Sequence, residues 1–174
     1  MESISGYTEA TLRSPLKGLE FKKATEENLD QETIKPCTII LVDDDLDDRY
    51  FTMEECKNSP LVKEIIPLRD GTDLVTYLKD NGFYDHSVIR YNQLLIVLDM
   101  QMTGINGFEI LEELKADPFL KEVPIIILSS LGNKYPIAKA FGLGADGYLN
   151  KPLRLEKLEK FIPEAWEWPP ESMW

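Results

Sequence analysis

Thr38-Ile39-Ile40-Leu41-Val42-Asp43-Asp44-Asp45 is the stretch from which the fold of this chain can be read. From Thr38 to Val42 the side chains are apolar or β-branched without alternation, which predicts a strand covered on both faces. Three carboxylates end it. Leu46, Tyr50 and Met53 then recur at helical spacing, which places Asp45 as the N-cap and Asp47 and Asp48 in the first turn, where the helix dipole favours negative charge.

The same unit repeats downstream. Glu64-Ile65-Ile66-Pro67-Leu68 reads as a short edge strand, because Pro67 has no N–H to give a ladder. A helix capped by Thr72 and burying Leu74, Val75 and Leu78 follows, then a loop from Asn81 to Asn92. Leu94-Leu95-Ile96-Val97-Leu98 is apolar throughout and predicts a central strand, with Phe108, Leu111 and Leu114 striping the next helix until Asp117-Pro118. Ile125 to Leu128 is strand four, Pro136 to Phe141 helix four, and Gly147-Tyr148-Leu149 strand five. Leu155, Leu158 and Ile162 mark the last helix. Five strand–helix units of this kind predict an α/β domain, (βα)5, with a five-stranded parallel sheet between two helical layers. In such sheets ligands bind at the carboxyl ends of the strands, near the switch in strand order.

Composition narrows the function class. The 174 residues carry a formal net charge of −12, which argues against direct binding to nucleic acid or to an anionic membrane surface. Cys37 and Cys56 lack a CxxC spacing and read as reduced, buried residues. No apolar run has the length of a membrane span, and Met1-Glu2-Ser3 does not open a signal peptide, so a cytoplasmic location is expected. Residues 1–36 read as a polar, flexible extension, residues 37–162 as the domain, and residues 163–174 as a tail holding Trp166, Trp168 and Trp174. No second, DNA-binding or enzymatic domain is expected after the last helix.

Asp43, Asp44 and Asp45 lie where strand one runs out, and Asp99 lies at the same end of strand three. Taken separately, the triplet could be helix capping and Asp99 a loop aspartate. Together at one rim they repel one another unless a cation is present, and Mg²⁺, which takes carboxylate and phosphate oxygens, suits them. With His86 as the single histidine, a zinc site is poorly supported. Ser129 ends strand four and Lys151 follows strand five, so both reach the same rim, where they could contact a phosphoryl group on Asp99.

In these motifs the chain resembles the receiver domains of two-component response regulators, over roughly residues 37 to 162. The motifs are Ile39 to Asp45; Leu98-Asp99-Met100-Gln101-Met102-Thr103-Gly104 with Gly107 beyond; Pro124 to Ser130; and Gly144 to Pro152. The resemblance implies a flavodoxin-like, CheY-like three-layer sandwich of stand-alone type. It implies that Asp99 accepts a phosphoryl group from the phosphohistidine of a histidine kinase or hybrid kinase, and that Asp44, Asp43, Asp99 and the Gln101 backbone carbonyl bind Mg²⁺. Ser129 and Lys151 would hold the phosphoryl group. Ser129 and Tyr148 would carry the switch to the face formed by helix four, strand five and helix five, which a downstream protein reads. A homodimer through that face or through the Trp-rich tail is a further expectation.

Thr103 stands where the family usually has proline, and Ser129 replaces threonine with the hydroxyl kept. Gln101 and Leu131 occupy the positions that tune acyl phosphate hydrolysis, and Leu131 cannot orient a water, which implies a long-lived phosphoryl state. The chain is then a signalling protein, an enzyme only in its own phosphotransfer and slow autodephosphorylation. Two other readings remain: a degenerate receiver that binds partners without phosphorylation, and a haloacid dehalogenase-type phosphatase. The second wants an aspartate where Gln101 stands.

Overall fold

The computed structural model describes residues 36–85, 93–103, 106–130 and 134–162. Expectations for the N-terminal extension, His86 and the loop around it, Gly104, Leu131 and the Trp-rich tail fall outside these residues. Five strands alternate with helices: β1 (Cys37–Val42), α1 (Leu46–Cys56), β2 (Val62–Leu68), α2 (Gly71–Asp80), β3 (Leu94–Asp99), α3 (Gly107–Ala116), β4 (Ile125–Ser129), α4 (Lys134–Gly142), β5 (Gly147–Asn150) and the single turn α5 (Leu155–Leu158). They form one parallel sheet in the order β2-β1-β3-β4-β5.

Unbroken apolar strands need cover on both sides, and the register supplies it. Ile40, Val42, Ile96, Leu98, Ile125 and Ile127 point to one face and pack with Leu74 and Leu78 of α2, Ile110, Leu111 and Leu114 of α3, and Ala140 of α4. Ile39, Leu41, Leu95, Val97, Ile126 and Leu128 point to the other face and meet Cys56 of α1 and Leu158 of α5, with Phe161 and Ile162 beyond it. The result is three layers. β3 is the centre of the sheet and β2 its edge, as Pro67 predicts, and both cysteines are free and buried.

The structure corrects three local expectations. On α1 the stripe Leu46 and Tyr50 faces solvent, at 73% and 60% exposure, and the buried seam is Arg49, Thr52 and Cys56, with Met53 partly buried beside it. Two stripes share the helical period there, and the polar one is inward because the Arg49 guanidinium donates to the Asp43 carbonyl oxygen. α2 is capped by Asp70, which accepts from Asp73 N–H at 2.9 Å, so Thr72 lies inside the first turn. On α3, Ile110 joins Leu111 and Leu114 in the core while Phe108 is only partly buried.

From β1 the chain reaches β2 on one side and β3 on the other, so the strand order switches between β1 and β3. A crevice opens at their carboxyl ends at such a switch point. Asp43 and Asp99 stand there.

Candidate functional site

β1 and β3 pair in register from Thr38 with Leu94 to Val42 with Leu98, which brings the next residues, Asp43 and Asp99, side by side. Asp44 joins them, and one carboxylate oxygen from each of the three lies within 4.8 Å of the others. Both strand-end aspartates are buried, Asp43 at 0% and Asp99 at 1% exposure, while Asp44 is partly open. Asp45, by contrast, turns to the helix, accepting from Asp47 N–H at 2.8 Å and Asp48 N–H at 3.0 Å as the N-cap of α1.

Each carboxylate is held by backbone. Asp43 Oδ1 accepts from Asp45 N–H at 2.9 Å, and Asp99 Oδ1 accepts from Gln101 N–H at 2.9 Å. Asp44 Oδ2 accepts twice from Thr103, from N–H and from the hydroxyl, each at 2.7 Å. These donors hold the Asp44 carboxyl below its usual range. Burial pushes the Asp43 carboxyl up, and the Lys151 ammonium pulls against that shift.

Lys151 is the cation of the site. Its backbone N–H donates to Ser129 O at 2.9 Å, and its Nζ stands 2.7 Å from Asp43 Oδ2, 2.8 Å from Asp48 Oδ2 and 2.9 Å from Asp99 Oδ2. Desolvation alone would lower this ammonium's pKa, and the three carboxylates overrule it and raise it. Asp43 Oδ2 is buried and has this ion pair with Lys151 but no further hydrogen-bond donor.

The donor set fits a hard divalent cation. Asp43, Asp44 and Asp99 against Lys151 leave two formal negative charges in one crevice, and Asp43 Oδ2 has unspent acceptor capacity. Carboxylate oxygens in this number suit Mg²⁺ and do not suit a soft metal.

Ser129 is buried at the end of β4, one residue beyond the register partner of Asp99, and opposite Asn150. Tyr148 is buried in the core cluster that includes Ala140 of α4. The Gln101 side chain accepts from the Ser130 hydroxyl, so it is engaged at the rim's outer edge. Thus Asp43, Asp44, Asp99 and Lys151 converge directly, with Ser129 adjoining by backbone register and Tyr148 in the hydrophobic core cluster. Sequence reasoning missed Asp48 as a partner of Lys151 and Thr103 as a partner of Asp44. Asp48 was readable only as a first-turn acid, and contacts across 103 and 59 residues leave no local signal.

Comparison with known proteins agrees with this fold. The profile of the response regulator receiver domain matches residues 39–163. Response regulator Rcp1 of Synechocystis sp. is 33% identical over 146 residues, covering 84% of this chain and 94% of that protein. Among solved structures, the Mn²⁺-bound form of Rcp1 is similar at a TM-score of 0.55 and 30% identity, covering 74% of this chain and 91% of that one. The phosphorylated cyanobacterial phytochrome response regulator RcpA is similar at a TM-score of 0.57 and 30% identity, covering 75% and 91%.

Proposed function

The chain belongs to the response regulator receiver family of two-component systems, and on that premise we propose that Asp99 accepts a phosphoryl group from the phosphohistidine of a histidine kinase or hybrid kinase. One observation carries the reading: the buried Asp99 carboxylate shares the Lys151 ammonium with Asp43 beside an acidic group suited to a metal. That a similar protein has been solved with Mn²⁺ and another phosphorylated supports it.

An Asp99 carboxylate oxygen forms the bond to phosphorus as the bond from phosphorus to the imidazole nitrogen breaks, and the electron pair stays on that nitrogen. Asp43, Asp44, Asp99 and the Gln101 backbone carbonyl would hold Mg²⁺, which supplies charge neutralisation for the transferring group. Gln101 N–H, by bonding Asp99 Oδ1, orients the carboxylate. Lys151, already at Asp99 Oδ2, is placed to follow the charge onto phosphoryl oxygens, and Ser129 adds a hydroxyl from the neighbouring strand end.

Phosphorylation then favours a different arrangement of Ser129 and Tyr148. This shifts a pre-existing equilibrium at the α4-β5-α5 face, which a downstream protein or a second copy of the chain reads. Slow autodephosphorylation at Asp99 resets the state, in the cytoplasm. No helix among the described residues is long and apolar enough to cross a membrane.

Beryllofluoride with Mg²⁺, a mimic of the phosphoryl group, tests the reading. Amide resonances around Ser129, Tyr148 and Lys151 should shift in the wild type and stay still in Asp99→Asn. Unshifted wild-type resonances, with partner binding intact, would favour a phosphorylation-independent binding module.

A further inference from the structure

We infer that Asp48 is a positioning residue that restrains phosphoryl acceptance by sharing the Lys151 ammonium with Asp99. The inference rests on the reading of Asp99 as the acceptor.

An ammonium has three N–H donors. Around Lys151 Nζ stand three carboxylate oxygens, from Asp43, Asp48 and Asp99, at 2.7, 2.8 and 2.9 Å. Two of these donors are spent on Asp48 and Asp99, and Asp43 Oδ2 stands against the ammonium as an ion pair, so an incoming phosphoryl oxygen competes with the carboxylates already there. Asp43 cannot yield cheaply, because its buried carboxylate would lose its counter-ion. Asp48 can. Its side chain is 42% exposed, so water replaces the lysine there, and it lies outside the group of carboxylates that could hold a metal.

Asp48 is also no loose arm. Its backbone N–H is bonded to the Asp45 cap at 3.0 Å, which fixes the first turn of α1 and with it the third carboxylate. Removing its charge frees one lysine donor for the phosphoryl group. Lys151 stays in place without it, because Asp43, Asp99 and the bond from Lys151 N–H to Ser129 O remain.

The test uses the full chain with Mg²⁺ and acetyl phosphate, a donor too small to dock on a helix. The Asp99 oxygen forms its bond to phosphorus as the bond to the acetyl oxygen breaks, and acetate leaves with the electron pair. Asp48→Asn should take up label about three- to ten-fold faster than wild type, the range for losing one partly exposed charge-assisted bond. Asp48→Glu, which keeps a carboxylate, should stay near wild type. Asp47→Asn removes the same charge from the same exposed turn and has no bond to Lys151, so its rate should not change. A purely structural or helix-dipole role would move Asp47→Asn and Asp48→Asn alike. Asp48→Ala repeats the measurement should Asp48→Asn fold poorly. An unchanged or slower rate in both, or an equal rise in Asp47→Asn, overturns the inference alone. A wild-type chain that takes no label on Asp99 overturns the acceptor reading and the inference with it.

Discussion

Lys151 is where most of the site's electrostatics meet, and its removal has a calculable cost. It is the counter-ion of the buried Asp43 and Asp99 carboxylates. Lys151→Met leaves both unpaired, and stripping one partner from a buried ion pair costs about 3–5 kcal/mol. Thermal unfolding in EDTA should show that loss, and millimolar Mg²⁺ should recover part of it by replacing the missing charge. Equal melting of variant and wild type in EDTA would contradict the pairing. The two thiols make a separate test of burial. Desolvation raises Cys37 from 9.0 to about 12 and Cys56 from 9.0 to about 11. A raised pKa in the fold means a stabilising contribution that is whole below pH 9 and is lost as pH climbs through about 11 to 12. At pH 8, then, maleimide should leave the native protein unlabelled and modify both cysteines after denaturation. Rapid labelling of either in the native state would contradict the packing.

At the scale of elements, glycines set how closely helices approach the site. A Cβ at Gly107 would lie 2.6 Å from the Asp99 carbonyl oxygen and 2.9 Å from Met100 Cα, both backbone atoms that cannot swing aside. Gly107→Ala should therefore cost about 1–3 kcal/mol by denaturant unfolding and slow acceptance at Asp99, because the strand end must shift. Gly142→Ala, with nothing within 4 Å, is the control and should be neutral or stabilising. The elements themselves were legible: every strand read from its apolar run appears within two residues of the expected ends. What could not be read was orientation. Leu46 and Tyr50 were apolar at the right period, yet the helix turns Arg49, Thr52 and Cys56 inward, a choice made by the Asp43 carbonyl across the gap to β1. That leaves Leu46 and Tyr50 exposed on α1, a surface that the proposed protein phosphodonor would grip. Leu46→Ser with Tyr50→Ser should hold stability within about 0.5 kcal/mol, as exposed positions do. It should slow transfer from a kinase without slowing transfer from acetyl phosphate. Equal rates from the kinase would remove α1 from the docking surface.

For the molecule as a whole, chain order explains why a site assembled from distant residues could be anticipated. Strands buried on both faces force a parallel sheet, the parallel sheet puts all carboxyl ends at one rim, and the switch between β1 and β3 selects Asp43 and Asp99. Ser129 and Lys151 follow from the next two strands by the same rule. Asp48 and Thr103 do not, because their contacts depend on how α1 and the loop after β3 close over the crevice. On the proposed reading this rim carries a phosphoryl group on one aspartate, Asp99. Intact-mass measurement after incubation with acetyl phosphate and Mg²⁺ tests it most directly. A single phosphoryl increment is expected, released by hydroxylamine as an acyl phosphate is, and absent from Asp99→Asn. No increment in the wild type, or one that persists in Asp99→Asn, would contradict it.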